Sequence, residues 1–206
     1  MKRTPQEIQA SLAPPGAGIP FWDRWMGRYF AKPWVLRRTP WTVSEERFKR
    51  LHEKLKRELA QFPAEALTER VLIPPQRFLE DSSRYWSAAM IARHLTITGK
   101  QMEELVIKLS RNELIPGVAD TGAVKPELER NDASSIEEYI TFGDTLIERL
   151  RSGVKDRESQ ALFNHPWFGP MRANEWMGVF ALHTRIHLEQ LRSIRRGLPS
   201  KKEGPV

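Results

Sequence analysis

Five histidines, at positions 52, 94, 165, 183 and 187, are the side chains of this sequence best suited to chemistry. Two of them stand in HTRIH, His183 and His187, at i and i+4. On a helix that spacing stacks both imidazoles on one face, about 6 Å apart at Cβ, which suits two ligands to one metal ion. His183 follows Trp176, Val179 and Phe180 on an apolar stripe, and His187 precedes Leu191 and Ile194 on the same stripe. His94 repeats the pattern in a separate segment, four residues after Met90, three after Ile91 and four before Thr98. A buried imidazole without a partner costs on the order of 2 kcal/mol. Each histidine could be satisfied separately in the core or reach solvent near a helix end. A divalent first-row ion, which takes neutral imidazole nitrogens, is the shared explanation for three of them aimed at one interior. The expected site is therefore His94, His183 and His187.

The remaining candidates are weaker. His52 sits four after Phe48 and three before Leu55, at the edge of an apolar stripe. It reads as a boundary histidine, with a fourth ligand or a substrate contact as the sharper reading. His165, in NHPWFG, reads as a structural turn. Gln190 lies three residues after His187 and shares its helical face, so it can orient a ligand from behind or bond a neighbouring backbone group. Glu103, Glu104 and Glu189 fall off the inner stripes, so no carboxylate is expected beside the metal as a general base. Catalytic residues stay unassigned. Cysteine is absent, which excludes thiolate ligands, disulfides and a cysteine nucleophile from the chain itself.

Four amphipathic helices are predicted to carry these residues. The first opens at TVSE, with Thr42 as cap and Glu45 completing a capping box, buries Phe48, Leu51, Leu55, Leu59 and Phe62, and ends at Pro63. The second spans about 83–110. The third opens at SSIE, with Ser134 capping and Glu137 at the box position, and closes at Gly153. The fourth spans about 172–196 and stops at Gly197 and Pro199. The apolar run at 71–73 meets Pro74 and Pro75, which argues against a central strand. The fold class is all-α, a four-helix bundle with an N-terminal aromatic arm that contains a short helix. The expected organisation is an arm over 1–41, the bundle over 42–198 and a basic tail over 199–206. Links of about twenty residues join the helices, and the 115–127 segment, IPGVADTGAVKPE, is expected to pack down and shape the site.

In the arm, Phe21, Trp22, Trp25, Met26, Tyr29 and Phe30 recur at helical spacing, with Asp23, Arg24, Gly27 and Arg28 opposite. Packing on the bundle or on a second subunit is the expected use, ahead of interfacial membrane anchoring. A homodimer with buried aromatic anchors from 21–41 follows from that reading.

The 206 residues are 40% hydrophobic, enough for one domain with a substantial core. The net charge of +7 is concentrated at the ends: residues 1–50 hold ten basic against four acidic residues. No nucleic-acid reading motif accompanies this charge, so no specific nucleic-acid binding is expected. No run of 18 apolar residues offers a membrane span, and MKRTPQEIQASLAPPGAG lacks the apolar centre of a secretory signal. A cytoplasmic protein is expected.

With these residues placed, the sequence resembles the DinB-like (DinB/YfiT) metalloenzyme family. The resemblance rests on WSAAMIARHL at 86–95, NHPWFGPMRANEW at 164–176 and HTRIHLEQL at 183–191. It implies a bundle whose long link between the second and third helices crosses over. It also implies His94, His183 and His187 as ligands of a divalent ion, zinc or nickel, with open coordination positions facing a pocket. Relatives include metal-dependent transferases that use low-molecular-weight thiols such as bacillithiol, and mycothiol-dependent isomerases. Arg172 replaces the family's Ser or Thr cap before the fourth helix, and residues 1–41 match nothing in the family. A thiol S-transferase acting on a small molecule is the expected function. The alternatives are a metal-dependent hydrolase and a non-catalytic dimeric binding module with a structural or vestigial metal site.

Overall fold

The computed structural model describes residues 3–127 and 130–199. The basic tail expected over 199–206 lies outside the described residues, apart from its first position. The chain forms α1 (Pro5–Ala10), α2 (Phe21–Met26), a π-helical continuation (Gly27–Leu36), and four long helices, α3 (Trp41–Leu59), α4 (Ala88–Ser110), α5 (Ser134–Gly153) and α6 (Ala173–Gly197). The long helices form the bundle, so the all-α four-helix class holds.

Cross-helix pairs define the topology. Arg93 meets Glu138 and Arg149 meets Glu103, so α4 and α5 run parallel. Phe48 packs on Phe180, while Arg195 reaches Glu58, so α3 and α6 are also parallel. Arg151 pairs with Glu45 and His52 bonds Tyr139, which sets α3 against α5 in opposite directions. Parallel neighbours cannot be joined by a tight turn. The link over 111–133 must therefore travel back along the bundle, which is the expected crossover.

Two apolar clusters fill the interior. One gathers Phe48, Val106, Leu146, Leu150, Met177 and Phe180. The other gathers Leu55, Met90, Ile91, Leu95, Leu188 and Leu191. Along α6, His183 and His187 fall between Phe180 and Leu188; along α4, His94 falls between Ile91 and Met102. The histidines thus form a polar layer between the clusters.

Local structure departs from the expected helix starts. α3 begins at Trp41 after Pro40, and Thr42 makes no cap. Glu45 is instead buried, accepting from the indole Nε1 of Trp41 at 2.6 Å and pairing with Arg151 at 2.8 Å. A tertiary ion pair has displaced a local cap. Likewise Ser134 caps nothing; Asp132 accepts its backbone N–H at 2.8 Å. α4 starts at Ala88 rather than near 83, because Ser87 caps it by accepting from the Met90 N–H at 3.1 Å. Residues 85–86 form β2 (Tyr85–Trp86), paired antiparallel with β1 (Val71–Leu72) in the register Val71 to Trp86. The short ladder ends before Pro74, which is why prolines tolerate it. A second ladder joins β3 (Phe163–His165) to β4 (Gly169–Met171). Gly169, at φ +73°, makes the hairpin's left-handed turn. Among the described residues no helix is long and apolar enough to cross a membrane.

The arm turns the other way from its simplest reading. Asp23 and Gly27 are buried, with Asp23 accepting from Arg77 and from the Phe78 N–H, and Gly27 set against Phe168. Phe21, Trp22, Trp25, Tyr29 and Phe30 are exposed. The small and acidic side of the arm, not its aromatic stripe, packs on this bundle.

Candidate metal centre

His94 from α4 and His183 and His187 from α6 meet in the polar layer. The Nε2 atom of His183 lies 3.1 Å from Nε2 of His94 and 3.0 Å from Nε2 of His187. The outer nitrogens explain the orientation. His94 donates from Nδ1 to the Val124 carbonyl at 2.7 Å. His187 donates from Nδ1 to Oε1 of Gln190 at 2.6 Å, and Gln190 donates to the Ser83 carbonyl at 2.7 Å. Both rings therefore carry their proton on Nδ1, and both Nε2 atoms present lone pairs to His183. One ring proton on His183 can satisfy only one of the two contacts. The other contact is left without a proton to bridge it.

A cation resolves that conflict. Three nitrogens about 2.1 Å from one tetrahedral ion stand about 3.4 Å from each other, close to the separations found here. The three rings offer neutral nitrogens. Burial, reinforced by the neighbouring His187, holds His94 and His183 well below the ordinary imidazole value. Burial pushes His187 down to about 4, against the opposing pull of Gln190. Trp86 stacks parallel to His187 and leans on His94, closing the site from one side. Three buried or half-buried histidines that could hold a metal ion are thus brought together. Among the described residues no fourth His, Asp or Glu joins them.

His52 is placed elsewhere. Its Nδ1 lies 3.1 Å from the Tyr139 hydroxyl and its Nε2 lies 3.0 Å from Asp144. Both ring nitrogens are engaged in holding α3 against α5. Asp144 is also claimed by Lys56 at 2.8 Å. His165 makes the turn expected of it, Nδ1 accepting from the N–H groups of Trp167 and Phe168 at 3.1 and 3.4 Å. Its ring also lines the cavity beside the triad, and burial followed by the nearby Lys32 charge pushes it down to about 3.

That cavity holds about 340 Å³ and reaches His94, His183 and His187 between walls that include Leu79, Met102, Ile115, Trp176 and Val179. Polar and charged residues, among them Glu80, Thr98, Gln101, Asp120, Thr121 and Lys125, line it as well. Trp176 is buried and its Nε1–H has no partner. Glu80 is also buried, paired with Lys125 at 2.7 Å and accepting from Thr121 at 2.9 Å. Burial pushes the Glu80 carboxyl up, but Lys125 and Thr121 outweigh it and hold the group below its ordinary value.

The reading of types and spacing missed Val124, Lys125 and Glu80. Val124 acts through a main-chain carbonyl, which no side-chain type announces. Lys125 and Glu80 are charged loop residues, which ordinarily mean solvent. The one available signal was the apolar character of 115–127, and that segment does pack onto the site.

No protein-family model matches the chain, and no curated protein matches it. A solved structure to which it is similar, the crystal structure of TT2238, a four-helix bundle protein, is 21% identical, with a TM-score of 0.49 over 74% of this chain and 98% of that one.

Proposed function

We propose that the chain is a DinB-like metalloenzyme that transfers a small electrophile to or from a low-molecular-weight thiol, with His94, His183 and His187 holding one divalent ion, zinc or nickel. The observation that carries this is the convergence of three Nε2 atoms at the wall of a 340 Å³ cavity. Three protein donors leave coordination positions for a small molecule, whereas a structural site would be closed by a fourth. His52, the one candidate for closing it, is committed to Tyr139 and Asp144.

When bound, the ion supplies a Lewis acid that lowers the pKa of a thiol or a water placed against it. The residues of the chain do the rest. The Val124 carbonyl and Gln190 keep the two outer rings in one tautomer. Trp86 shields them from water. The apolar walls suit an apolar body. Hydrolysis would want an uncommitted carboxylate as base. Of the carboxylates lining the cavity, Glu80 is tied to Lys125 and Thr121, Glu104 is paired with Lys108, and Asp120 accepts from the Gly122 N–H, which supports thiol chemistry over water chemistry.

Metal analysis of protein purified without chelator or nickel resin tests the first half. One ion per chain is expected, and His183→Ala with His187→Ala together should abolish it; full occupancy in that variant would sink the assignment. The second half is read in cobalt-substituted protein. Added low-molecular-weight thiol should change the visible absorption, and an unchanged spectrum with turnover of an ester substrate would favour the hydrolase instead.

A further inference from the structure

We infer that the aromatic arm is a docking surface for an anionic lipid bilayer. Phe21, Trp22, Tyr29 and Trp34 are each more than half exposed, and Trp25, Phe30 and Val35 extend the same surface. The aromatic rings touch one another, with Trp22 6.1 Å from Trp25 and Trp25 5.3 Å from Phe30, while Phe30 and Trp34 also edge a hollow shared with Leu182 and Ile186. Helix α2 and its π-helical continuation are meanwhile held firmly from behind. Asp23 accepts from Arg77 and the Phe78 N–H, Lys32 donates to the Pro170 carbonyl, and Leu36 is buried against Gly178. A rigidly mounted ridge of outward indoles and phenyl rings is too large an apolar patch to stand in water without a partner.

Charge identifies that partner. Arg24, Arg28, Arg37 and Arg38 are exposed along the ridge, and Arg38 lies 3.9 Å over the Trp34 ring. Asp23 is the sole acidic residue between positions 8 and 44, and it is buried in an ion pair. The exposed surface of residues 21–38 is therefore apolar and positive with no acidic residue of its own to compensate. Trp, Tyr and Phe settle at the headgroup boundary while arginines reach anionic lipid phosphates. A second copy fits less well, because a twofold pairing of this surface brings the same arginines together.

Docking here also orients the metal cavity. Phe78, whose backbone N–H Asp23 holds and whose φ is +60°, lines both that cavity and the hollow beneath the arm, as does Ile186. The two spaces share Phe78 and Ile186 in their walls, so a bilayer against the arm would lie close to the apolar pocket.

The test uses full-length protein and sedimentation with vesicles of phosphatidylcholine alone or mixed with phosphatidylglycerol. Binding to the mixed vesicles only, weakened by salt, is expected. The pair Trp22→Ser and Trp34→Ser should weaken it at least about tenfold, as should Arg24→Glu with Arg38→Glu, with unchanged circular dichroism because all four side chains are exposed. No binding to either vesicle overturns the inference. So does a dimer in light scattering that the Trp22→Ser, Trp34→Ser variant dissociates, which would make a second copy the occupant.

Discussion

His187 donates from Nδ1 to Oε1 of Gln190 at 2.6 Å, one turn further along α6, and Gln190 passes its own amide N–H to the Ser83 carbonyl at 2.7 Å. This relay is fully buried and joins one ring of the histidine triad to the 60–87 link. Gln190→Ala removes the acceptor, frees the ring to rotate and leaves the Ser83 carbonyl unpaired. Metal affinity should fall by roughly 10–100-fold, read by competition with a chromophoric chelator. Unchanged affinity would mean that packing against Trp86 alone orients the ring.

Lys125 neutralises buried Glu80 while its neighbour Val124 holds His94. Lys125→Ala strands a carboxylate in the interior, at a cost on the order of 3 kcal/mol. The 115–127 segment should become protease-sensitive and metal affinity should drop with it. Adding Glu80→Gln should restore part of both, since it removes the uncompensated charge.

Gly143 lets α5 pack directly against the His52 ring of α3. A Cβ at that position would stand 2.2 Å from Cε1 of His52 and 2.5 Å from its Nδ1. The ring is tethered at both nitrogens and cannot yield cheaply. Gly143→Ala should destabilise by about 1–3 kcal/mol in denaturant unfolding. In a His52→Ala background the same change should cost far less, a coupling that a double-mutant cycle measures.

His165 stays neutral in the folded protein down to about pH 3, whereas in the unfolded chain it takes a proton near pH 6.5. Protons therefore bind the unfolded chain first. The stability this histidine contributes is complete above about pH 6.5 and is lost as the pH falls toward 3. His165→Asn keeps an acceptor for the Trp167 and Phe168 N–H groups and removes the titration. Its unfolding free energy should vary less over that range than that of the parent protein. Identical slopes would place the acid sensitivity elsewhere.

The helical period of Phe48, Leu55, Met90, Leu95, Leu146, Leu150, Leu188 and Leu191 is a local property, and it was enough to determine the bundle and the inward direction of His94, His183 and His187. Direction on a helix follows from spacing alone. Helix starts were less legible: Thr42 and Ser134 carry capping chemistry, but Glu45 and Asp132 found better use in a cross-helix ion pair and a turn. Whether three inward rings reach one point depends on helix pairing, and only the packed bundle brought their Nε2 atoms together. The carbonyl of Val124 and the buried Lys125–Glu80 pair arise where a crossover link lies down on the helices. Main-chain groups have no residue type, and the burial of a loop charge depends on a partner 45 positions away in the chain. The arm shows the same division. Its amphipathic stripe could be read from spacing, but which face turned to the bundle was decided by Arg77 and the Phe78 N–H reaching Asp23. Two hydrogen bonds to a buried carboxylate outweighed the pull of the aromatic face toward its own core.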